Sequence, residues 1–197
     1  KWNAAQKALM RDSRLRTTED CVAFCARKPA IRLINASAVS AYGAYVADHS
    51  AFTEADQDRR SGNSYLQQLA DDWEAAASKA KVAGNSVVMM RIGVVLDRVR
   101  GGLPKMAQPF HFFMGGPVGS GEQIISWIGL DDLVNAIEFI VQHPEIEGPV
   151  NLVSPGSCSQ KTFARALGLA LRKPSLLPTP GWMIKTLLGQ MGEELVL

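Results

Sequence analysis

Apolar residues recur along this chain in two alternating patterns, one typical of helices and one typical of strands. Residues 3–27 carry an amphipathic helical pattern, and the apolar run Ile31–Ser37 that follows has the turn-bounded character of a buried strand. Ser64 can cap a second helix, whose inward face follows Tyr65 and Leu69 at spacings of three and four. The first part of the chain therefore predicts the order helix, strand, helix.

The second part of the chain continues this alternation. Ser86–Leu96 is a near-continuous apolar run, as expected for a strand whose sheet is covered by helices on both faces. Gly148–Ser154 predicts a third strand, and Ser159–Arg172 predicts a capped helix. Strands that alternate with helices predict a parallel α/β sheet. A further helix is predicted from an apolar stripe that consists of Leu130, Leu133, Val134, Ile137, Ile140 and Val141.

Three segments interrupt the alternation. Residues 47–63 are polar and rich in turn residues, so we interpret them as an excursion over the surface and a candidate lid. Residues 108–113, "QPFHFF", are interpreted as an aromatic loop. The proline-rich stretch 173–182 breaks the pattern before a last amphipathic segment.

Composition narrows the class of partner. The 197 residues are 47% hydrophobic and carry 21 basic and 19 acidic side chains, which is the composition of one globular domain with or without a small appendage. The charges form no dense basic block, and no apolar run reaches the roughly 18 residues of a membrane span. We therefore expect a cytoplasmic protein with a small-molecule substrate, and neither nucleic acid nor a membrane as its main partner.

Cysteine and histidine spacing gives no support to a metal site. Cys21, Cys25 and Cys158 contain no CxxC pair, and the histidines are scattered along the chain. Reduced core thiols and no bound metal are the prediction.

The glycine-rich stretch "GGPVGSGEQIISWIGLDD", Gly115–Asp132, raises the question of a phosphate cradle. A dinucleotide fingerprint needs its glycines after a strand and before a helix, where free amides meet the phosphates. Here the glycines follow the aromatic loop and lead into "QIISWI", which is apolar and strand-like. This order favours a turn before a strand that buries Trp127.

Several motifs occur in an order that identifies a resemblance. The runs "MRIGVVLDRVRGGLPKM", "GGPVGSGEQIISWIGLDDLVNAI" and "GPVNLVSPGSCSQKTFARALGLALRKP" resemble the extended short-chain dehydrogenase/reductase superfamily. They are most similar to its "epimerase family protein" branch, which is sometimes labelled a cell-division inhibitor. "KWNAAQKALMRDSR" and "NASAVSAYG" match the same branch, and "LPTPGWMIKTLLGQMGEELVL" resembles the start of its carboxyl-terminal extension.

The resemblance implies a fold, a division into domains and a cofactor. The fold is a Rossmann-like doubly wound parallel sheet with a small substrate-binding subdomain. Residues 1–96 would be the carboxyl-terminal part of the cofactor domain, 97–172 the substrate side, and 173–197 the start of the extension. The family's glycine-rich first half is absent from this sequence, so we expect a parent protein of roughly 300 residues. The cofactor would be NAD(P), with NADP ahead of NAD, and a homodimer stays open.

The resemblance also implies a catalytic arrangement. The superfamily uses a serine after a strand, with a tyrosine and a lysine four residues apart on the next helix; these positions are Ser37, Tyr65 and Leu69 here. Leucine removes the cation that would stabilise a tyrosinate, and periodicity alone also explains Tyr65 as a packed residue. Ser37 stands at the carboxyl end of a predicted strand, where open α/β sheets bind ligands.

Further site residues follow from the same resemblance. Arg91 has an alternative role as a structural salt bridge, because a cation inside an apolar strand needs partners. The residues expected to contact the cofactor are Asn35, Ala36, Ser37, Arg91, Ile92, Gly93 and Val94. The residues expected to contact the substrate are Tyr42, Gly119, Gly121, Gln123 and Trp127.

Two hypotheses on function follow. The first is an NAD(P)-dependent oxidoreductase or epimerase with an unknown, small or apolar-faced substrate. Ile125 stands where sugar-nucleotide epimerases place an arginine, and Gly129 where the branch carries a histidine, so a nucleotide-sugar substrate is disfavoured. The second is a catalytically weak, cofactor-binding sensor or interaction module, which Leu69 and Ile125 motivate.

Overall fold

Helices and strands alternate along the chain, and their bounds follow the sequence pattern closely. The computed structural model describes residues 2–28, 30–43, 51–56, 64–82, 84–190 and 192. In chain order the elements are α1 (Ala4–Ala26), β1 (Arg32–Ala38), a 3-10 turn (Val39–Tyr42), α2 (Tyr65–Val82), β2 (Ser86–Ile92), β3 (Val94–Leu96), α3 (Leu103–His111), β4 (Ile124–Ile125), β5 (Trp127–Gly129), α4 (Leu130–Gln142), β6 (Gly148–Leu152), β7 (Cys158–Ser159), α5 (Gln160–Leu171) and α6 (Gly181–Leu188).

The chain divides into two compact units. Residues 3–93 and 134–152 form the first, which we call the sheet unit, and residues 1–2, 94–133 and 153–197 form the second, the glycine unit. Each unit is formed by segments that are not contiguous in the sequence.

A parallel sheet in the order β1-β2-β6 is the centre of the sheet unit. This sheet confirms the predicted α/β class with parallel strands. Helices α1 and α2 pack together and against the sheet. The small side chains of Ala77 and Ala80 let α2 approach the strands closely, and the resulting core contains Cys25, Leu33, Val87 and Met89.

Side-chain caps fix the starts of both helices. The Asn3 side chain accepts a hydrogen bond from the Gln6 amide, and Ser64 Oγ accepts one from the Gln67 amide at 3.1 Å. Each cap satisfies an amide that the first helical turn leaves without a partner.

The apolar run Ser86–Leu96 forms two strands instead of the single predicted one. β2 ends at Ile92 and β3 begins at Val94, with Gly93 between them. β2 pairs within the sheet unit, whereas β3 pairs in parallel with β5 in the glycine unit. Hydrophobicity marks the whole run as buried but carries no information about which partner each part takes.

Helix α4 buries a narrower face than its apolar stripe predicts. Leu133 and Ile140 are buried, but Val134 is 55% exposed and Val141 is 60% exposed. The two pairs are each seven residues apart and lie about 100° from one another around the helix. The buried stripe therefore follows only one of the two rows.

Helix α3 was not predicted, and part of it was interpreted as an aromatic loop. Pro104 lies in the first turn, where a backbone N–H has no helical partner to lose, and the helix also accommodates Pro109. Ala107 and Phe110 form its buried face. Most of the stretch interpreted as an aromatic loop is therefore the last turn of a helix.

Smaller elements complete the glycine unit. β4 and β7 form a short antiparallel pair, and Ser159 caps α5 by accepting a hydrogen bond from the Thr162 amide. None of the helices in the described part of the chain is both long and apolar enough to cross a membrane.

Candidate functional site

Three polar residues stand in one row at the carboxyl ends of the three parallel strands. Ser37 on β1 is in register with Arg91 on β2, and Arg91 is in register with Asn151 on β6. Paired positions of parallel strands place their side chains on the same face of the sheet. Ligands of open α/β sheets bind at this end of the strands, so the row marks the candidate site.

The centre of the row is a buried ion pair. Arg91 is 0% exposed and donates from Nε and Nη2 to the two carboxylate oxygens of Glu74 on α2, at 2.8 and 2.7 Å. Burial alone would lower the pKa of Arg91, but the hydrogen bonds and the charge of Glu74, with a contribution from Tyr42, outweigh it and raise that pKa above its ordinary value. Arg91 is therefore a permanent cation, and its charge is matched by Glu74.

Ser37 belongs to the same network. Its Oγ donates a hydrogen bond to Glu74 Oε1 at 2.7 Å, and the residue is buried. A hydroxyl has one proton and two acceptor lone pairs. Because the proton is committed to Glu74, the remaining hydrogen-bonding capacity of Ser37 is that of an acceptor.

Tyr42 extends the network from the 3-10 turn that follows β1. The Arg91 guanidinium carbon lies 4.7 Å from the centroid of the Tyr42 ring, which is a cation–π contact. The phenol donates to Asn151 Oδ1 at 2.7 Å. Tyr42 therefore connects Arg91 and Asn151, which are also neighbours through the register of the strands.

Part of the predicted surface excursion lies against this row. Glu54 Oε1 accepts a hydrogen bond from the main-chain N–H of Asn151 at 2.7 Å, and the Phe52 ring stacks on Tyr42 with centroids 5.0 Å apart. Thr53 donates from its amide and hydroxyl to Asp56, which closes a local turn. The rest of the candidate lid, residues 47–50 and 57–63, lies outside the described residues.

Tyr65 lies in the contact between α1 and α2. Its hydroxyl donates to the main-chain carbonyl of Lys7 at 2.7 Å, and Lys7 Nζ lies 4.8 Å from the ring centroid. A phenol donates such a bond only while it carries its proton. Leu69, at the position of the catalytic lysine, is buried. This placement favours the packing interpretation of Tyr65.

The residues expected to contact the cofactor fall into two groups. The Asn35 side chain accepts from Thr18 and donates to the carbonyl of Ala36, so it is committed to the helix layer, as Arg91 is. Ala36, Ile92 and Gly93 are partly exposed at the strand ends. Ser37 belongs to the buried network with Arg91, and Val94 is part of the glycine unit.

Most of the residues expected to contact substrate lie in the glycine unit and hydrogen-bond within it. The Gly119 amide donates to the Thr179 carbonyl at 2.9 Å, and both the Gly121 amide and the Gln123 side chain donate to the Val118 carbonyl. The Trp127 indole donates to the Gly156 carbonyl at 3.0 Å. Tyr42 is the member of this group that lies in the sheet unit.

The glycine-rich stretch packs against the proline-rich segment that follows α5. A Cβ atom on Gly115 would lie 2.2 Å from the Phe110 ring, and one on Gly116 would lie 2.2 Å from the Leu177 carbonyl oxygen. The Leu177 amide donates to the Gly115 carbonyl at 3.2 Å. Gly116 is required because two backbone segments touch, and Gly115 leaves room for the Phe110 ring; both are packing roles.

Potential metal ligands are scattered over the described ranges. No three His, Cys, Asp or Glu side chains there come together as a group that could hold an ion. All three cysteines are free; Cys25 is buried, but Cys21 is exposed and so is not the core thiol that its helical position suggested.

The sequence interpretation missed Glu74, Asn151, Phe52 and Glu54. Of these four residues, only Glu74 had a clear signal in the sequence. Glu74 follows Ala70 by four residues and precedes Ala77 by three, so it lies on the apolar face of α2, where a carboxylate needs a buried cation. Arg91, alone in its apolar strand, is that cation.

Sequence comparison finds relatives that match nearly the whole chain. An epimerase family protein of Mycobacterium leprae is 36% identical over 194 residues, which cover 98% of this chain and 62% of that protein. The chloroplastic SDR39U1 homolog of Arabidopsis thaliana, also an epimerase family protein, is 36% identical and is covered over 54% of its length. The chain therefore spans less than two thirds of these relatives.

Two solved structures share the fold of this chain, and a family model matches most of its length. Human epimerase family protein SDR39U1 (isoform 2), solved with NADPH, superposes over the whole chain and 66% of its own length, with a TM-score of 0.87 and 27% identity. A nucleoside-diphosphate sugar epimerase from Corynebacterium glutamicum superposes over 45% of its length, with a TM-score of 0.74 and 28% identity. The family model matches residues 1–153, and the chain belongs to the NAD dependent epimerase/dehydratase family.

Proposed function

We propose that this protein is an NAD(P)-dependent oxidoreductase or epimerase that acts on a small, hydroxyl-bearing compound at the strand ends of the sheet unit. The observation that carries the proposal is the in-register row of Ser37, Arg91 and Asn151, which places a hydroxyl, a neutralised cation and an amide at the ligand-binding end of a parallel sheet. Membership of the family supplies the cofactor class.

The residues at the strand ends fit a nicotinamide. Ala36, Ala38 and Gly93 are small and partly exposed there, so no bulky side chain of these three fills the space beside the sheet. They would hold the ring, and bound NAD(P) supplies the donor or acceptor of the hydride. The human relative was solved with NADPH, which favours NADP(H) over NAD(H) for this protein as well.

Ser37 would bind the reacting oxygen of the substrate. Its proton is donated to Glu74, and Arg91 keeps Glu74 in the carboxylate form that accepts this bond. Ser37 can then accept a hydrogen bond from a substrate hydroxyl. The proposal therefore favours an alcohol as the form of the substrate that binds first.

A nucleotide sugar is not the substrate that we propose. Ile125, where sugar-nucleotide epimerases place an arginine, offers no charge to a diphosphate. We also propose a cytoplasmic location, although the Arabidopsis relative is named as chloroplastic.

One observation favours a second function. Tyr65 donates to the Lys7 carbonyl and Leu69 replaces the lysine, so the proton-transfer pair of the superfamily is absent from its usual place. A cofactor-binding sensor with little catalysis would need no such pair.

Titration of NADPH and NADH into the full-length protein, followed by a screen of small alcohols with NADP⁺, separates these functions. We expect NADPH to bind and Ser37→Ala to lower turnover at least about tenfold while NADPH affinity stays unchanged. Ser13→Ala is the matched control, because Ser13 is an exposed serine whose hydroxyl donates to the Met10 carbonyl within α1. Binding without turnover would favour the sensor, and the absence of binding would contradict both functions.

A further inference from the structure

Asn151 contacts two other elements of the sheet unit with three of its polar groups. Its amide N–H donates to Glu54 Oε1 at 2.7 Å, and its Oδ1 accepts from the Tyr42 hydroxyl at 2.7 Å. Its Nδ2 lies 3.5 Å from the Phe52 carbonyl, at the limit of a hydrogen bond. One residue of β6 is thus bound both to the turn after β1 and to residues 51–56.

These contacts form a closed circuit. Phe52 stacks on Tyr42, so the two groups held by Asn151 also hold each other. Tyr42 also makes a cation–π contact with Arg91, which is in register with Asn151. A change at Asn151 would therefore reach both Tyr42 and the 51–56 segment.

The chemistry of an amide side chain fits this position. The side chain must accept from a phenol and face a carbonyl with a donor, and an amide does both with two separate atoms. An aspartate would keep the acceptor but would place a second carboxylate beside Glu54. The Glu54 carboxylate also satisfies a backbone N–H of β6, which pairs with β2 alone in the described sheet.

We propose that Asn151 is a positioning residue that fastens residues 51–56, here called the strap, across the carboxyl ends of the strands. Phe52 and Glu54 of the strap then form the outer wall of the candidate site, with Tyr42 beneath them. The fastening stands on the contacts alone, whereas the wall's role toward substrate rests on the proposed function.

Hydrogen–deuterium exchange of the full-length protein tests the fastening. We expect Glu54→Ala, which removes the acceptor of the main-chain N–H of Asn151, to increase exchange in peptides covering the strap at least about tenfold. Asn151→Ala keeps that N–H but loses the side-chain contacts with Tyr42 and Phe52, so we expect it to increase exchange in the same peptides at least about threefold.

Asn85→Ala is the matched control. Asn85 is also a buried asparagine of the sheet unit, and its side chain accepts from the Ile31 amide and donates to the Cys25 carbonyl.

The two asparagine variants separate positioning from general stability. Both remove side-chain hydrogen bonds, so both lower the melting temperature, but only Asn151→Ala should release the strap. Equal exchange in the strap for the two variants, or no change for Asn151→Ala, would overturn the proposal.

A kinetic measurement tests whether Phe52 and Glu54 form a wall of the substrate site. For a substrate found in the alcohol screen, Asn151→Ala should raise KM at least about fivefold and lower kcat less, while Asn85→Ala leaves KM unchanged. Released exchange with an unchanged KM would show fastening without a substrate wall and overturn that part. If no substrate turns over, the proposed function fails, and the exchange experiment still decides the fastening.

Discussion

The two units of this chain are organised by opposite means. In the sheet unit, buried polar side chains satisfy one another: Ser37, Glu74 and Arg91 are all buried, and each is hydrogen-bonded to another member. In the glycine unit, the closest contacts are made where side chains are missing, at Gly115 and Gly116. The sheet unit therefore depends on the identity of its polar groups, and the glycine unit on the absence of Cβ atoms.

This difference decides which substitutions each unit tolerates. A buried ion pair is sensitive to the loss of one partner, because the other charge is then buried alone. A backbone contact at glycine is insensitive to charge and sensitive to one added methyl group. Substitutions of the two kinds test whether the units differ as described.

The largest effect is expected at Glu74. Glu74→Gln leaves Arg91 buried without its counter-charge and should lower the free energy of unfolding by about 3–5 kcal/mol, measured by chemical denaturation. Asp72→Asn is the matched control, because Asp72 pairs with Arg11 at 2.9 Å in an exposed contact that should contribute less than about 1 kcal/mol.

A double variant distinguishes the ion pair from general packing. Glu74→Leu combined with Arg91→Met should recover most of the lost stability, because neither charge then remains buried. If Glu74→Gln proves no more destabilising than Asp72→Asn, the buried network does not organise the sheet unit.

The next effect is expected at Gly116. Gly116→Ala places a methyl group 2.2 Å from the Leu177 carbonyl oxygen, so the proline-rich segment must shift, and we expect a loss of about 1–3 kcal/mol in the free energy of unfolding. Gly156→Ala is the control, because its Cβ would meet its nearest atoms at an ordinary 3.8 Å. Equal melting temperatures for the two variants would contradict the packing role.

The two tyrosines of the sheet unit should differ in function more than in stability. Tyr42→Phe and Tyr65→Phe each remove one donated hydrogen bond and should each lower the free energy of unfolding by about 1 kcal/mol. Only Tyr42→Phe should also impair turnover, because the Tyr42 hydroxyl donates to Asn151 in the row, whereas the Tyr65 hydroxyl donates to the Lys7 carbonyl. Steady turnover that is lost in Tyr65→Phe and retained in Tyr42→Phe would reverse this assignment.

The smallest effect concerns Asp97 in the glycine unit. Its carboxylate accepts from the backbone amides of Arg100 and Val99, which lower its pKa below the ordinary value. A depressed pKa contributes stability above the pKa of the unfolded chain, and this stability is lost as the pH falls through the folded pKa. The melting temperature of Asp97→Asn should therefore lie below that of the natural protein at pH 7 and converge with it at low pH. A difference that persists at low pH would contradict this role.

Local sequence patterns predicted most of the helices and strands. Contacts between residues far apart in the sequence decided how these elements pair and pack. β1 and α2 were predicted because apolar period and a Ser64 cap are local signals, and Ser37 was placed at the end of its strand for the same reason. The break at Gly93 and the packing of Gly116 depend on residues far along the chain. No local pattern encodes them.

The candidate site shows the same limit. Arg91 signalled that a buried partner was needed, but the spacing of 17 residues to Glu74 has no helical or strand meaning by itself. Phe52 and Glu54 lie in a segment without apolar period, so their contacts with Tyr42 and Asn151 could be seen only in three dimensions. The roles of Ser37 and the other site residues stay predictions.

A crystal structure of the full-length protein with bound NADPH tests the central claim most directly. The account predicts a nicotinamide ring at the strand ends of the sheet unit, beside Ala36 and Ser37 and within reach of Tyr42. A nicotinamide bound against the glycine-rich stretch, or far from Ser37, would contradict it.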